Sequence, residues 1–416
     1  MVKGLGIVSV VVSMSVILLL VRKKINIGLA MAAGAGTLAL TAPLSGEQVW
    51  GALKAAFTNP TTLDLILIIV FIGMLGYILK ASSALKRMVD SLLALLGNVR
   101  VLLIAIPGLI GLLTVPGGAI MSAPMVGQLG DGVGISPERK TGINLVYRHI
   151  WYLIFPMLSS VILAARLADV TPVQLVAWNS PVMVTGLAAS WYFLLRNVPP
   201  GEQKGKYSNA NLLRFAVTIM PIVVVLILFL ALDVWFPAAL AVGIVLALVN
   251  MPEGEGLLPI RLAVTGWQRA KTMLWPGFKA EMIIVVLGIM IYKEMLETSQ
   301  IVTVFAGDLV AWGIPLWLLL LVLPFAIGMV TGAHSAAVAI VLPMFLPLVS
   351  DSGYMAGLSL MYVSGTLGYL ISPIHLCLIL TREFYKSLLS QVYRLVLPVV
   401  AVMMATALAI ALVRGL

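Results

Sequence analysis

Charged side chains are scarce in this chain. They make up 10% of its 416 residues, whereas hydrophobic residues make up 61%. A soluble domain of this length has to present a polar surface to water, so the composition excludes one. The sequence therefore predicts a protein that lies in a lipid bilayer.

Cysteine is almost absent, since Cys377 is the only one and lies in an apolar segment. A single cysteine excludes a disulfide framework and a paired-cysteine redox motif, and it predicts no cysteine-based metal site. We interpret Cys377 as a small buried hydrophobic residue.

The common catalytic motifs are also missing. The chain has no His-Glu-x-x-His helix and no Gly-x-Ser-x-Gly turn. Asp64 and Glu281 stand at the edges of apolar segments, where they are expected to face headgroups or water and not to work as an acid and a base. Ser335 with His375 is the one pair that could serve an intramembrane protease, and it is a weak match. The chain is predicted not to be an enzyme and to need no cofactor.

Basic residues give a net charge of +10, but they stand in short clusters between apolar stretches and form no aromatic-rich basic face. Nucleic acid is therefore not an expected partner, and the clusters indicate topology. Arg22, Lys23 and Lys24 follow the first apolar stretch where a signal peptide would need small residues, so that stretch is a retained span. With the N-terminus outside, the Lys and Arg residues predicted to lie outside are only Lys3, Lys54, Arg166, Lys293 and Arg414.

A helix crosses a bilayer with about 20 apolar residues, and this length divides the chain into about ten predicted spans. The spans of the first half are 4–21, 25–43, 61–80, 137–167 and 172–195. Those of the second half are 212–232, 237–250, 280–298, 354–381 and 388–413. In each half an apolar stretch interrupted by small residues precedes the fourth span, and these stretches, 99–129 and 314–349, are predicted to be re-entrant helical hairpins.

The two halves repeat each other. Ile68, Ile69, Val70, Gly73 and Tyr77 recur 215 positions later as Ile283, Ile284, Val285, Gly288 and Tyr292. Val115, Gly117, Leu145 and Tyr147 recur at the same offset as Val330, Gly332, Leu360 and Tyr362. Each half has an odd number of crossings, so residues 1–200 and 201–416 are predicted to form two inverted repeats. The predicted fold is an all-α polytopic membrane protein.

Two connecting stretches, Ser82–Gly97 and Gln300–Trp312, each lead from a span into a hairpin. In the first of them, Leu85, Met88 and Leu92 recur on one helical face. Such a pattern is typical of a helix that lies in the membrane interface, although a plain surface linker has the same composition.

The hairpin tips carry the candidate binding residues. A break at this depth exposes backbone N–H and C=O groups, and the start of the following helix favours an anion. The alternative is that Pro116-Gly117-Gly118 only kinks a helix against a neighbour. The predicted substrate-binding residues of the two tips are Thr114, Pro116, Gly117, Gly118, Ser122, Thr331, Gly332, Ala333, His334 and Ser335.

The helix that follows each hairpin also carries polar residues at membrane depth, which are costly there and indicate function. Arg148 is a candidate counter-ion for an anionic substrate, or a side chain that extends to water. His334 is predicted to donate to a substrate oxygen and could carry a proton. The remaining predicted substrate-binding residues are Thr366, Ser372 and His375.

A sodium site is predicted from backbone carbonyls at the breaks. Gly365, Gly368 and Pro373 predict that the helix in 354–381 unwinds, and segment 137–167 is likewise predicted to be broken. The absence of deep Asp and Glu favours Na+ over H+ as the coupling ion. The predicted sodium-site backbone lies near Val115, Gly117, Gly332, Gly365 and Gly368.

Two halves that each contain an interfacial helix, a re-entrant hairpin and a broken helix resemble the ion transporter superfamily. That superfamily includes divalent-anion/sodium symporters, citrate transporters and gluconate permeases. Within it, the chain most resembles a bacterial and archaeal branch with a domain of unknown function. The symporters carry Ser-Asn-Thr at both tips, where this chain has Val115-Pro-Gly-Gly and Thr331-Gly-Ala-His-Ser.

The two convergent helix N-termini predict secondary active transport of a small organic anion, expected to be a carboxylate, coupled to Na+ or H+. The expected location is the inner membrane of a prokaryote. The resemblance implies a homodimer. It also implies an elevator mechanism, in which helices 4–43 and 212–250 are the fixed scaffold. An anion channel, or the membrane subunit of a multi-component uptake system, remains an alternative function.

Overall fold

The computed structural model describes residues 5–112, 118–201, 207–250, 274–301, 304 and 312–416, which form helices and no β-strand. The helices of the first half are α1 (Leu5–Arg22), α2 (Ile27–Thr41), α3 (Gly46–Thr58), α4 (Pro60–Ala81), α5 (Ala84–Leu95), α6 (Val99–Leu112), α7 (Gly118–Asp131), α8 (Pro137–His149), α9 (Ser159–Leu167) and α10 (Pro172–Ser190). Those of the second half are α11 (Asn209–Leu230), α12 (Phe236–Val249), α13 (Ala280–Ser299), α14 (Leu316–Thr331), α15 (His334–Phe345), α16 (Tyr354–Ile371), α17 (Leu376–Tyr385) and α18 (Leu389–Val413).

Helix starts follow local sequence chemistry. The Asn59 side chain accepts from the backbone of Thr61 and precedes Pro60, whose missing N–H costs nothing in the first turn. Thr171 and Gln174 form a capping box before α10, which also begins with a proline, Pro172. These signals explain why α4 and α10 begin close to the starts of the predicted spans 61–80 and 172–195.

Several described helices are long and apolar enough to cross a membrane. They are Pro60–Ala81, Asn209–Leu230, Leu274–Ser299, Asp351–Tyr385 and Leu389–Val413. A further pair, Ser159–Leu167 and Pro172–Leu195, meets the same criteria together but is bent by 115°. The predicted class, an all-α polytopic membrane protein, is confirmed. Other predicted spans are shorter apolar helices, such as α2 with 15 residues and α12 with 14.

The stretches predicted to be re-entrant hairpins each consist of two helices packed against each other. In 99–129 these are α6 and α7, and their connection, 113–117, lies outside the described residues. In 314–349 they are α14 and α15, which meet at Gly332 with a φ of +60°. Gly332 has no Cβ and adopts this left-handed conformation without strain, so α14 ends there.

Both helices that follow the hairpins are interrupted. Helix α8 ends at His149, a 3₁₀ turn covers Ile150–Leu153, and the chain becomes helical again at Ser159. Helix α16 runs without interruption to Ile371, and α17 starts at Leu376. The second break therefore lies at Ser372–His375, around Pro373.

The prediction that α16 unwinds at Gly365 and Gly368 is wrong, because both lie within its continuous helix. Their role is close packing against α14. A Cβ at Gly368 would lie 2.0 Å from the carbonyl oxygen of Phe325, and one at Gly328 would lie 2.3 Å from that of Gly365. Small residues at such crossings let two membrane helices approach each other.

The two halves exchange equivalent contacts. Helix α2 packs on α13, and its counterpart α12 packs on α4. In the same way α17 packs on α7, and α9 packs on α15. These packing pairs repeat between the halves in the part of the chain that the structure describes, whereas the division into two inverted repeats stays a prediction.

The first connecting stretch forms α5, which packs on α11. Leu85 and Met88 are buried, whereas Lys86 and Asp90 on the other face are exposed. This division is the amphipathic pattern predicted for Ser82–Gly97. The second stretch, Gln300–Trp312, falls largely outside the described residues.

Candidate functional site

The three histidines of the chain lie in one buried cluster between the two helix breaks. The ring centroids of His149 and His375 are 4.6 Å apart, and those of Tyr369 and His375 are 4.0 Å apart. His334, the first residue of α15, lies 6.1 Å from Tyr369 and 6.0 Å from Tyr152. The ends of α8 and α16 and the starts of α15 and α17 therefore meet at one place.

Arg148 brings a positive charge into this region. It is 1% exposed, so the alternative in which its side chain extends to water is wrong for the described structure. Its guanidinium lies against the first residue of α7, where a Cβ on Gly118 would be 2.5 Å from Nη2. The N-terminus of a helix carries a partial positive charge, so two positive features converge here.

The acidic side chains that the structure describes lie away from the buried core. Among the described residues, no Asp or Glu is buried. Asp64 pairs with Arg166 and accepts from Trp235 at 2.9 Å, at the edge of its span as predicted, and Glu281 is exposed. Lys140, the other buried cation, lies 2.5 Å from Asp131. That Arg148 binds an anionic substrate stays a prediction, and its burial is compatible with it.

The tautomer of His334 is tied to its contact with Thr366. Thr366 Oγ1 lies 2.8 Å from His334 Nε2 and 2.7 Å from the carbonyl oxygen of Tyr362. If the Thr366 hydroxyl donates to that carbonyl, Nε2 carries the proton and Nδ1 is an acceptor until the ring takes up a second proton. If the hydroxyl donates to Nε2, the neutral ring carries its proton on Nδ1. Donation from Nδ1 to a substrate oxygen stays a prediction.

Side chains from other helices satisfy the backbone at the two breaks. At the first, Tyr362 donates to the Tyr152 carbonyl at 2.8 Å, and Asn179 donates to that of Leu153 at 3.2 Å. At the second, Tyr393 donates to the Ile371 carbonyl at 2.8 Å. Backbone groups without such partners would be costly at membrane depth, so these bonds hold the breaks in place.

Other buried polar atoms around the breaks have no hydrogen-bond partner within the part of the chain that the structure describes. They are Asn144 Oδ1, Tyr147 Oη, Trp151 Nε1, His334 Nδ1 and His375 Nε2. Buried polar atoms are nearly always bonded in proteins, to protein, water or ligand. Their concentration near Arg148 makes this region the candidate binding site.

The predicted site residues that the structure describes fall into three groups. Gly118, Arg148, His334, Thr366 and His375 belong to the cluster or border it. Others bond to nearby backbone instead: Ser122 to Ala119 at 3.3 Å, Thr331 to Ile327 at 2.7 Å and Ser372 to Met329 at 2.6 Å. Gly332, Ala333 and Ser335 are partly exposed at the second tip.

The remaining predictions at the first tip fall on residues whose placement is not described. Thr114, Val115, Pro116 and Gly117 lie outside the described residues. Their predicted parts in substrate and sodium binding stay predictions.

The predicted site residues do not include His149, Tyr152, Tyr369 or Cys377, which the structure places in or beside the cluster. Tyr369 and Tyr152 flank the two breaks, and a tyrosine beside a proline-marked break in an apolar helix is a signal that could have been used. Cys377 gave no such signal, because Ala119 of α7 and Arg148 and His149 of α8, which lie near it in the fold, are more than 200 positions earlier in the chain.

Comparisons with known proteins place these features in a family. Residues 5–414 match the family described as protein of unknown function, DUF401. No curated protein matches the chain. Among solved structures, the crystal structure of the Alcanivorax borkumensis YdaH transporter is 15% identical and superposes with a TM-score of 0.57, covering 89% of each chain. At this identity the likeness shows a shared fold. The chain belongs to the DUF401 family and has the fold of a membrane transporter.

Proposed function

We propose that the protein is a secondary active transporter that moves a small organic anion, a carboxylate, across the cell membrane. The observation that carries this proposal is the position of Arg148, whose guanidinium is buried against the N-terminus of α7. The transporter fold supports the reaction class, and the charge at the site supports the class of substrate.

The chemistry of Arg148 suits a carboxylate. A guanidinium presents parallel N–H donors that match the two carboxylate oxygens, and such bonds are stronger where water is excluded. The first N–H groups of α7 add partial positive charge on the same side. The start of α15 at His334 brings a second helix N-terminus to the cluster. An anion bound here would add negative charge to a region where no described Asp or Glu is buried.

The coupling ion in this proposal is Na+ or H+. Sodium needs neutral oxygen ligands, which broken helices expose, and it suits a core without buried acidic residues. A proton would bind at His334 Nδ1, because Nε2 is engaged with Thr366. The protonated ring would then donate to an anion, which links proton uptake to substrate binding.

Alternating access in this proposal follows the elevator scheme of the ion transporter superfamily, with a homodimer as the working unit. The scaffold of each subunit would contain α1, α2, α11 and α12. The helices that bear the site would move as a body relative to it. The exchange of contacts between α2 and α13 and between α12 and α4 supports this division, because each scaffold pair contacts the moving part of the other half.

Uptake into liposomes tests the proposal. Purified protein is reconstituted, and labelled carboxylates of different size are offered with an inward Na+ gradient, with an inward proton gradient, or with neither. We expect one gradient to drive accumulation of at least one carboxylate above its outside concentration. Failure of the whole panel under both gradients would overturn the proposal.

Counterflow then separates a carrier from an anion channel. Liposomes preloaded with unlabelled substrate should transiently concentrate the labelled substrate, because a carrier exchanges one for the other. A channel gives ohmic currents and no counterflow. The same preparation shows whether the chain acts alone or needs a partner subunit.

A further inference from the structure

Three side chains with metal-binding atoms lie together at the two helix breaks: His149, His375 and Cys377. Their ligand atoms all lie within 4.8 Å of one another, and none of the three residues is more than 9% exposed. We propose that they bind a transition-metal ion of the zinc type. The inference concerns metal binding itself and does not rest on the proposed transport of an anion.

The His149 ring has the hydrogen bond to a backbone carbonyl that is common in metal-binding histidines. Its Nδ1 lies 2.7 Å from the carbonyl oxygen of Leu145, one turn earlier in α8, so the proton of the neutral ring is on Nδ1. The lone pair is then on Nε2. Metal-ligating histidines commonly donate their other N–H to a backbone carbonyl, which fixes the tautomer and the ring orientation.

His375 repeats this arrangement at the second break. Its Nδ1 lies 3.3 Å from the carbonyl oxygen of Leu370. Its Nε2 is buried and has no hydrogen-bond partner among the residues that the structure describes. A buried acceptor without a partner is costly, and a metal ion would satisfy it.

Cys377 supplies the third ligand. Its thiol lies beside the Arg148 guanidinium and the backbone of Ala119, near the start of α7. The thiolate is the form that binds metals, and a bound cation would supply the charge that stabilises it in this buried position. The interpretation of Cys377 as only a small hydrophobic residue explains its burial but not these neighbours.

The donor set indicates the class of metal. Two imidazoles and one thiolate suit zinc, whereas Na+, Mg2+ and Ca2+ prefer oxygen ligands. Tetrahedral zinc places its ligand atoms about 3.3 to 3.6 Å apart. Side-chain rotations that move the ligand atoms by about 1 Å would bring the most distant two of them to this spacing. The Tyr369 hydroxyl oxygen is already at this spacing, 3.4 Å from His149 Nε2, and can take the fourth ligand position.

Zinc titration of the purified, chelator-treated full chain in detergent tests this site. Competition with a zinc-binding dye, together with elemental analysis, should show about one tightly bound ion per chain. Cys377→Ser and His375→Gln should each weaken binding at least tenfold. His334→Gln is the matched control, because this histidine lies in the same cluster and bonds to Thr366, and its zinc affinity should equal that of the wild type.

Cobalt reports the ligands directly. Co2+ bound by the wild type should give visible bands of tetrahedral geometry and a near-ultraviolet band from the cobalt–thiolate bond. Cys377→Ser should lose the near-ultraviolet band while size-exclusion chromatography shows an unchanged folded protein. The inference is overturned if the wild type binds no stoichiometric zinc, or if folded Cys377→Ser and His375→Gln bind it as tightly as the wild type. Neither result depends on whether an anion is transported.

Discussion

The guanidinium of Arg148 occupies the space that a side chain at Gly118 would need. A Cβ built on Gly118 would lie 2.5 Å from Nη2 and 3.0 Å from Cζ. Glycine at the first position of α7 is therefore what allows the charged end of α8 to reach the N-terminus of α7. This contact joins the first hairpin to the helix that follows it.

Gly118→Ala should displace this guanidinium without unfolding the protein, because the obstructing atoms are the end of a flexible side chain. We expect uptake of the transported anion to fall at least tenfold while the melting temperature stays close to that of the wild type. The matched control is Gly36→Ala on α2, since a Cβ there meets nothing within 4 Å. Equal uptake by both variants would contradict the assigned role of Gly118.

Gly368→Ala should act on stability instead. Its Cβ would lie 2.0 Å from the carbonyl oxygen of Phe325, and backbone cannot move aside as a side-chain end can. Overpacking of this kind costs about 1 to 3 kcal/mol. Thermal unfolding in detergent should therefore show a clear drop in melting temperature for Gly368→Ala and none for Gly36→Ala. An unchanged melting temperature would show that α14 and α16 do not cross as closely as described.

Tyr362→Phe should loosen the first helix break. It removes the hydroxyl that donates to the Tyr152 carbonyl and leaves that carbonyl without this donor, which costs about 1 to 3 kcal/mol. We expect a lower melting temperature and faster hydrogen exchange at 150–158. Tyr207→Phe is the control, because Tyr207 is 69% exposed. If the two substitutions had the same effect, the bond from Tyr362 would not support the break.

The predicted topology is tested by thiol labelling in intact cells. Lys54 and Lys386 are both exposed and are predicted to lie on opposite sides of the membrane. A membrane-impermeant maleimide should label Lys54→Cys in intact cells and Lys386→Cys only after permeabilisation. The wild type should stay unlabelled, since Cys377 is buried. The reverse labelling pattern would place the N-terminus inside.

Local chemistry made part of this structure predictable. Pro373 and Gly332 mark breaks because proline lacks an N–H and glycine adopts a positive φ, and neither effect depends on the rest of the fold. The same reasoning failed at Gly365 and Gly368. A glycine can end a helix or let another helix approach closely, and which of the two it does depends on the residue that faces it. For Gly368 that residue is Phe325 of α14, which lies in a different segment of the sequence.

The site was only partly predictable for a related reason. Arg148 and His334 stood out because charged and polar groups are rare at membrane depth. The tautomer of His334 depends on Thr366, and the neighbours of Cys377 come from α7 and α8, far away in the sequence. The neighbours of Cys377 come from the other half of the chain, and His334 and Thr366 lie on different helices of the same half, so no single segment reveals either contact.

The central claim is that a carboxylate binds at Arg148, and ligand-induced stabilisation measures this most directly. A ligand that binds only the native state raises its apparent stability by about 2.7 kcal/mol at a hundredfold excess over Kd. The wild type is screened against carboxylates and other oxyanions, with and without Na+, beside Arg148→Lys and Arg148→Gln. We predict that at least one carboxylate raises the melting temperature of the wild type. Arg148→Lys should weaken this effect at least tenfold in ligand concentration, and Arg148→Gln should abolish it. A carboxylate that stabilises Arg148→Gln as strongly as the wild type, or a panel that leaves the wild type unchanged, would contradict the account.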